Sequence, residues 1–257
     1  MGVKSAIRNV LNRAGIDVIR VPRPRKATRR QGLSYYETPI GNYYLPTDAP
    51  DDVIARHMRA GRVFEPEVVE IAKRYVKPGG AAIDVGANFG QMAILFSGMG
   101  AKVYAIEAQQ TVFDILCKNI EANNANIAPV FKAAYTETGK TFHFPKPDFV
   151  QWGAYGSYNL PLDADEGDPV ESIRIDDIDI SEPISFMKVD VQGCDLFAMQ
   201  GATETIRKHR MPILFEFEQR FQADYGTSFD DYVAFINAIG YRFAETVLDI
   251  NFLIVPR

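Results

Sequence analysis

A strand, a tight turn and a helix follow one another between Ala82 and Met99, and this segment constrains the fold more than any other. A short apolar run leads into Asp84-Val-Gly-Ala-Asn-Phe-Gly90, and an apolar-rich stretch follows directly. In an open parallel sheet, such a turn places backbone N–H groups and a helix N-terminus where an anionic or zwitterionic cofactor can bind. The alternative, which the turn alone favours less, is an ordinary βα connection whose glycines serve only the backbone geometry.

Strands and helices alternate around this turn, which indicates a parallel sheet with right-handed crossovers. A hairpin around Gly41-Asn42 and a helix over 51–60 come first. We then predict helices over 65–76, 90–98, 110–123, 195–208 and 229–239, and strands over 81–86, 102–107, 127–134, 184–190, 212–217, 241–246 and 251–255. With 257 residues, 47% of them hydrophobic, the chain can bury one large α/β core, which we place in a domain over 33–257.

The alternation breaks between about 136 and 183, in a segment longer than ordinary connections. It contains strand-like stretches over 141–144 and 170–175 and a stretch rich in aromatic residues and glycine over 151–159. Insertions of this length commonly carry a binding surface. We therefore predict that Trp152, Tyr155 and Ser157 contact the substrate, although packing of the aromatic residues onto the domain is a comparable interpretation.

The first 32 residues form a basic extension with nine Lys or Arg and a single acid, Asp17, while the whole chain carries a net charge of −5. Apolar residues recur at helical spacing from Val3 to Ala14 with basic residues between them. Such an amphipathic helix could lie on an anionic membrane surface or dock on a protein partner. A solvated tail that packs on its own domain is an equal alternative.

Glu107 ends the second predicted strand 21 positions after Gly86. A carboxylate at that place can accept hydrogen bonds from the hydroxyls of a nucleoside ribose. A dinucleotide fold favours a further glycine that lets the backbone approach a pyrophosphate, but this chain has Asn88 in the turn. We therefore favour S-adenosylmethionine, whose ammonium and carboxylate groups can meet Asp84 and backbone amides.

Several motifs taken in order resemble the FkbM family of S-adenosylmethionine-dependent methyltransferases over roughly residues 60–220. They are the glycine turn, Phe64-Glu-Pro-Glu67, Ile175-Asp-Asp-Ile178, Phe186-Met-Lys-Val-Asp-Val-Gln-Gly193 and Gln200-Gly-Ala202. The resemblance implies a class I methyltransferase fold, in which helices cover both faces of a mostly parallel seven-stranded sheet whose last strand is antiparallel. It also implies O-methylation of a sugar, a glycan or a natural product. One departure is Gln192, where the family's usual pattern is Asp-Val-Glu-Gly.

The glycine turn and the resemblance together assign the cofactor site. We predict contacts with S-adenosylmethionine from Glu65, Asp84, Gly86, Ala87, Asn88, Phe89, Gly90, Glu107, Ala108, Ala134 and Asp190. We place Gln192 among the residues that bind the substrate.

Asp190 ends the fourth parallel strand, which the fold places next to the strand that leads into Gly86. We predict that Asp190 accepts the proton of a substrate hydroxyl, or binds a divalent metal ion that acidifies this hydroxyl. A capping role for the following helix is the alternative. Glu216 and Glu218 project from one face of the next strand, and we favour Glu216 as the second catalytic acid. We expect Lys188 to point opposite to the neighbours of Asp190 along the strand, with its aliphatic stem buried and its charge reaching solvent.

A second hypothesis is a cofactor-binding scaffold without catalysis, recruited to a membrane or a glycan-assembly partner by the basic extension. A nicotinamide dehydrogenase ranks third. We expect a cytoplasmic protein that can lie at the inner face of the membrane. Its substrate is a small molecule or a glycan, and we expect no nucleic acid partner. The sequence allows a homo-oligomer but does not determine the oligomeric state. Cys117 and Cys194 lack the spacing of a zinc site.

Overall fold

A computed structural model describes residues 32–47, 52–144 and 159–257. In chain order, its strands are β1 Leu33–Thr38, β2 Gly41–Pro46, β3 Ala81–Val85, β4 Lys102–Glu107, β5 Ile127–Phe131, β6 Ala133–Ala134, β7 Thr141–Phe144, β8 Asp168–Ile173, β9 Ile184–Val189, β10 Ile213–Glu216, β11 Tyr241–Val247 and β12 Asn251–Pro256. Its α-helices are α1 Val53–Arg59, α2 Pro66–Tyr75, α3 Gln91–Gly98, α4 Gln110–Asn123, α5 Asp195–Gln200, α6 Thr203–His209, α7 Gln219–Tyr225 and α8 Phe229–Ala238.

Seven strands form the central sheet in the order β11-β12-β10-β9-β3-β4-β5. Strand β12 is antiparallel to both of its neighbours, whereas the pairs from β10 to β5 are all parallel. The predicted sheet, including its antiparallel last strand, is therefore confirmed. The strand order reverses at β3 and β9, so the carboxyl ends of these two strands border the crevice in which doubly wound sheets bind ligands.

Helices cover both faces of the sheet because successive side chains of each buried strand point to opposite sides. Ala82 of β3 packs with residues of α2, α3 and α4 on one face. Ile83 and Val85 pack with residues of α5, α6 and α8 on the other. The parallel strands are therefore buried on both faces, as parallel sheets require.

The β1–β2 hairpin turns at Pro39-Ile40, because Thr38 pairs with Gly41. The predicted turn at Gly41-Asn42 is therefore wrong by two residues. Proline fixes the backbone angle that the second position of a tight turn needs and has no N–H to donate to a strand.

The single helix predicted over 195–208 is two helices, α5 and α6. At Gly201 the chain passes so close to the Tyr135 carbonyl that a Cβ would lie 2.0 Å from its oxygen. The Asp176 carboxylate then accepts the N–H groups of Glu204 and Thr205 in the first turn of α6. The break therefore depends on tertiary contacts that helical periodicity does not report. Helix α7 was not predicted.

The predicted insertion contributes β7 and β8 to a separate three-stranded sheet in the order β6-β8-β7. The stretch predicted as one strand over 127–134 divides into β5 and β6, since β6 leaves the central sheet to pair with β8. The basic extension up to residue 31 and the predicted substrate residues Trp152, Tyr155 and Ser157 lie outside the described residues. Within the described ranges, no helix is long and apolar enough to cross a membrane.

Candidate functional site

A cavity of about 450 Å³ opens at the carboxyl ends of β3, β4, β9 and β10. Its wall contains most of the residues predicted to bind the cofactor or carry out catalysis. These are Glu65, Asp84, Gly86, Ala87, Asn88, Phe89, Glu107, Ala108, Ala134, Asp190 and Glu216, and the predicted substrate residue Gln192 lines the same cavity. Residues far apart in sequence thus meet at one edge of the sheet, as the topology predicts.

Gly86 brings the turn after β3 against the end of β9. Its φ is +79°, and a Cβ at this position would lie 1.9 Å from the Asp190 carbonyl oxygen. Only glycine combines this backbone conformation with so close an approach. The glycine turn therefore sets the spacing between the predicted cofactor site and Asp190.

Gly90 has a different role from the one predicted, since it is not among the residues that line the cavity. It precedes α3 with a φ of +88°, and a Cβ there would lie 2.6 Å from Leu116 Cδ1. This glycine therefore allows α3 to pack closely against α4.

Replacement of Gly86 by alanine is expected to lower the free energy of unfolding by about 2–4 kcal/mol, because it adds steric overlap to an unfavourable left-handed backbone. Gly79→Ala is the matched control, since Gly79 has a φ of +76° but a Cβ at this position would meet no atom within 4 Å. We expect Gly79→Ala to cost only about 1 kcal/mol. Urea unfolding of the two variants measures the difference, and equal losses would show that the close approach to Asp190 contributes nothing.

Three non-glycine residues around the cavity have left-handed backbone conformations. The φ angles are +52° at Glu65, +51° at Asn88 and +49° at Gln192. Such conformations cost about 1–3 kcal/mol each and are concentrated at functional sites. Three separate segments that meet at the cavity are thus each held in an uncommon conformation.

Glu107 holds the glycine turn through backbone hydrogen bonds. Its Oε1 accepts the N–H groups of Ala108 and Gln109, and its Oε2 accepts that of Asn88, each at 2.9 Å. Burial raises the pKa of this carboxyl, and the three N–H groups lower it by a smaller amount. A carboxylate offers about four acceptor positions. Little acceptor capacity is therefore left for the predicted ribose contact. Glu107 can accept fewer hydrogen bonds from the ribose hydroxyls than a carboxylate without these backbone contacts.

Lys188 lies inside the site and is only 5% exposed, so the prediction that its charge reaches solvent is wrong. Its Nζ is 2.8 Å from Asp190 Oδ2 and 4.0 Å from Asp84 Oδ1. Burial lowers the pKa of Lys188, but Asp190 and Asp84 outweigh this effect and raise it above the ordinary value. For Asp84, burial raises the pKa to about 6 despite the attraction of Lys188. A buried ammonium group thus compensates two neighbouring carboxylates.

Asp190 and Glu216 form a second linked pair. Gln192 Nε2 lies 3.4 Å from both Asp190 Oδ1 and Glu216 Oε2. Burial favours the protonated form of both acids, but Lys188 and a hydrogen bond from Glu216 bring the pKa of Asp190 below its ordinary value. The pKa of Glu216 is raised by burial and by the Asp190 charge. The two carboxyl groups are therefore coupled, and the opposite directions of their pKa shifts favour the charge on Asp190 and the proton on Glu216.

Glu218 precedes α7 and lines the same cavity as this pair, and it forms an ion pair with Arg220 at 2.8 Å. The structure does not support the predicted metal ion. Among the described residues, no group of three or more His, Cys, Asp or Glu side chains is arranged to hold one.

The sequence analysis does not predict Gln91 as a site residue, yet Gln91 lines the cavity as the first residue of α3.

The seven-stranded sheet with its antiparallel strand and the cavity behind the glycine turn define a class I methyltransferase fold. The model of the FkbM methyltransferase domain matches residues 84–243, more than half of the sequence. The chain therefore belongs to the FkbM methyltransferase family. No curated protein sequence matches it significantly.

Solved structures with related folds include the methyltransferase FkbM from Methylobacillus flagellatus, with 18% identity and a TM-score of 0.45. That similarity covers 81% of this chain and 57% of the M. flagellatus chain, so our chain spans little more than half the length of that relative. A precorrin-6y C5,15-methyltransferase from Geobacter metallireducens is 11% identical over 75% of this chain and 88% of its own, with a TM-score of 0.45. The aTrm5 protein in its complex with tRNALeu is 12% identical over 89% of this chain and 53% of its own, with a TM-score of 0.42. These similarities are too low to indicate a substrate.

Proposed function

We propose that this protein is an S-adenosylmethionine-dependent O-methyltransferase that acts on a hydroxyl group of a sugar, a glycan or a natural product. The observation that carries the proposal is the Asp190 carboxyl group, whose Oδ2 lies 2.8 Å from Lys188 Nζ in the cavity beside the glycine turn. A carboxylate at this place can accept the proton of a hydroxyl nucleophile. Membership of the FkbM family supports methyl transfer as the reaction.

The residues of the cavity fit a nucleoside cofactor that carries a sulfonium cation and a zwitterionic amino acid group. Both oxygens of Asp84 are buried and lack a close hydrogen bond among the described residues, with Lys188 Nζ 4.0 Å from Oδ1, so the ammonium group of a ligand would add a donor. Glu107 lies at the end of β4, where the ribose of a nucleoside would lie in this fold. Glu65 and Asp190 add further carboxyl groups around the cavity. When bound, S-adenosylmethionine supplies the electrophilic methyl group.

Asp190 would orient the acceptor hydroxyl and take its proton while the oxygen forms its bond to the methyl carbon. Lys188 favours the charged form of Asp190, and the contacts of Asp190 with Lys188 and Gln192 fix the direction of its carboxylate. The proton passes from Asp190 to water after transfer. Hydrogen bonding by Gln192 would thus replace part of what a glutamate does at this position in the family's usual pattern.

A methyl-transfer assay against a panel of acceptors tests the proposal. The panel contains saccharides, glycolipids, hydroxylated natural products and RNA, and mass spectrometry detects the added methyl group together with S-adenosylhomocysteine. We expect methylation of a hydroxylated small molecule or glycan. Methylation of RNA alone would contradict the expectation that no nucleic acid is involved. Cofactor binding with no transfer to any acceptor would favour the scaffold hypothesis.

A further inference from the structure

Tyr225 is a buried residue of α7 that the proposed mechanism does not use. Its side chain is only 8% exposed, and its hydroxyl donates a hydrogen bond to the Leu160 carbonyl oxygen at 3.0 Å. Burial raises the pKa of this hydroxyl, so it keeps its proton at neutral pH and acts as a donor. The two residues are 65 positions apart, so the hydrogen bond joins distant segments of the chain.

Leu160 belongs to the part of the insertion that borders the cavity. Within the described residues of the insertion, Phe144 and Leu160 are the two that line it. Both pack with Tyr225 in one apolar cluster. Beside Leu160, the side-chain amide of Asn159 donates to the Asp224 carboxylate at 3.0 Å. The last two residues of α7 therefore both hold this segment in place.

The ring of Tyr225 contacts the turn that follows Asp190. Gly193 in this turn has a φ of +93°, and a Cβ at this position would lie 2.7 Å from Tyr225 Cε2. The preceding residue, Gln192, has the left-handed backbone, lines the cavity and contacts Asp190. Tyr225 does not itself line the cavity, but its hydroxyl holds Leu160 and its ring supports the turn.

We propose that Tyr225 is a positioning residue for the methyl acceptor, because it holds the Leu160 wall of the cavity against the turn that follows Asp190. This inference rests on the proposed function and adds to it a residue that shapes the acceptor side of the site. A wall that is already ordered spares the acceptor the cost of ordering it. The glycine turn and Glu107, which are assigned to the cofactor, belong instead to β3 and β4. Loss of the Tyr225 hydroxyl should therefore weaken acceptor binding and leave cofactor binding unchanged.

Tyr225→Phe removes the hydroxyl and keeps the ring. Steady-state kinetics of the full chain with the acceptor identified by the panel measure its effect. We expect the acceptor KM to rise about 3- to 10-fold, which corresponds to the loss of one buried hydrogen bond. The kcat and the dissociation constant of S-adenosylmethionine should stay within about twofold of the wild-type values.

Tyr241→Phe is the matched control. The Tyr241 hydroxyl is also buried and donates to a backbone carbonyl, that of Met211, at 3.0 Å, but Tyr241 does not line the cavity or contact Leu160. Both variants should lower the midpoint of thermal unfolding by about 2–4 °C, whereas only Tyr225→Phe should raise the acceptor KM. An acceptor KM that is unchanged in Tyr225→Phe, or that both variants raise equally, would overturn the inference.

Hydrogen exchange followed by mass spectrometry needs no acceptor and so separates this inference from the proposed function. In Tyr225→Phe, the amides of Asn159, Leu160 and Leu162 should exchange about 3- to 10-fold faster than in the wild type, and Tyr241→Phe should leave them unchanged. Equal exchange in the wild type and Tyr225→Phe would overturn the inference even for an active methyltransferase. A wild-type protein that methylates no acceptor would instead overturn the proposed function, and with it the role of Tyr225 in acceptor binding.

Discussion

Asp190→Asn is expected to lower kcat by about 10²- to 10⁴-fold, which is the usual contribution of a positioned acid or base. Asparagine keeps the size of the side chain but cannot take a proton from the acceptor hydroxyl. The dissociation constant of S-adenosylmethionine should remain within a few-fold of the wild-type value, since Asp84 and Glu107 are unchanged. Steady-state kinetics with the acceptor found in the panel, together with calorimetry, measure both quantities.

The matched control for this substitution is Asp179→Asn, which makes the same chemical change at an exposed position away from the cavity. Its kcat should equal that of the wild type. If Asp190→Asn retains full turnover, Asp190 has a structural role at the end of β9 and the proposed mechanism is wrong. A large loss of cofactor affinity with unchanged kcat would likewise contradict it.

Lys188→Met is expected to lower the free energy of unfolding by about 3–5 kcal/mol at neutral pH, because it leaves buried carboxylates without their compensating charge. In the wild type, Asp190 has a lowered pKa, so its pairing stabilises the protein above the ordinary aspartate pKa and less as pH falls. Without Lys188, the pKa values of Asp190 and Asp84 should rise. Protonation then relieves part of the cost at pH 5 but little at pH 8.

Urea unfolding at pH 5 and pH 8 measures this pH dependence. Lys73→Met serves as the control, because Lys73 pairs with Glu70 at 2.6 Å while both side chains are largely exposed, and such pairs contribute about 0–1 kcal/mol. A destabilisation by Lys188→Met that is the same at both pH values would contradict the assignment of Lys188 as the compensating charge for the two carboxylates.

The central sheet could be predicted from sequence because its signals are local. Strands buried on both faces read as short apolar runs, and the helices between them have their own start and stop residues. The antiparallel orientation of β12 came from the family resemblance, since no residue in that strand specifies its direction. The split between α5 and α6 was missed because it depends on the Tyr135 carbonyl and the Asp176 carboxylate, which are distant in sequence.

The acidic residues of the site were found because each follows a strand, and parallel strands end at one edge of the sheet. The position of Lys188 was misjudged even though it shares a strand face with Asp190, two residues further on. The two-residue spacing between Lys188 and Asp190 was the sequence signal that could have placed both side chains in the site. Gln91 offered no comparable signal, because its importance arises from a hydrogen bond to Phe64, 27 residues earlier in the chain. Gly90 was assigned to the cofactor by motif alone, whereas the structure shows that it makes room for Leu116.

The central claim is that the cavity behind the glycine turn binds S-adenosylmethionine. Isothermal titration of the full chain with this cofactor tests it most directly, with S-adenosylhomocysteine as a competitor. We expect saturable binding at one site per chain, displaced by the competitor and weakened in an Asp84→Asn variant that remains folded. Absence of binding by the folded wild-type protein, or binding that Asp84→Asn leaves unchanged, would contradict the claim.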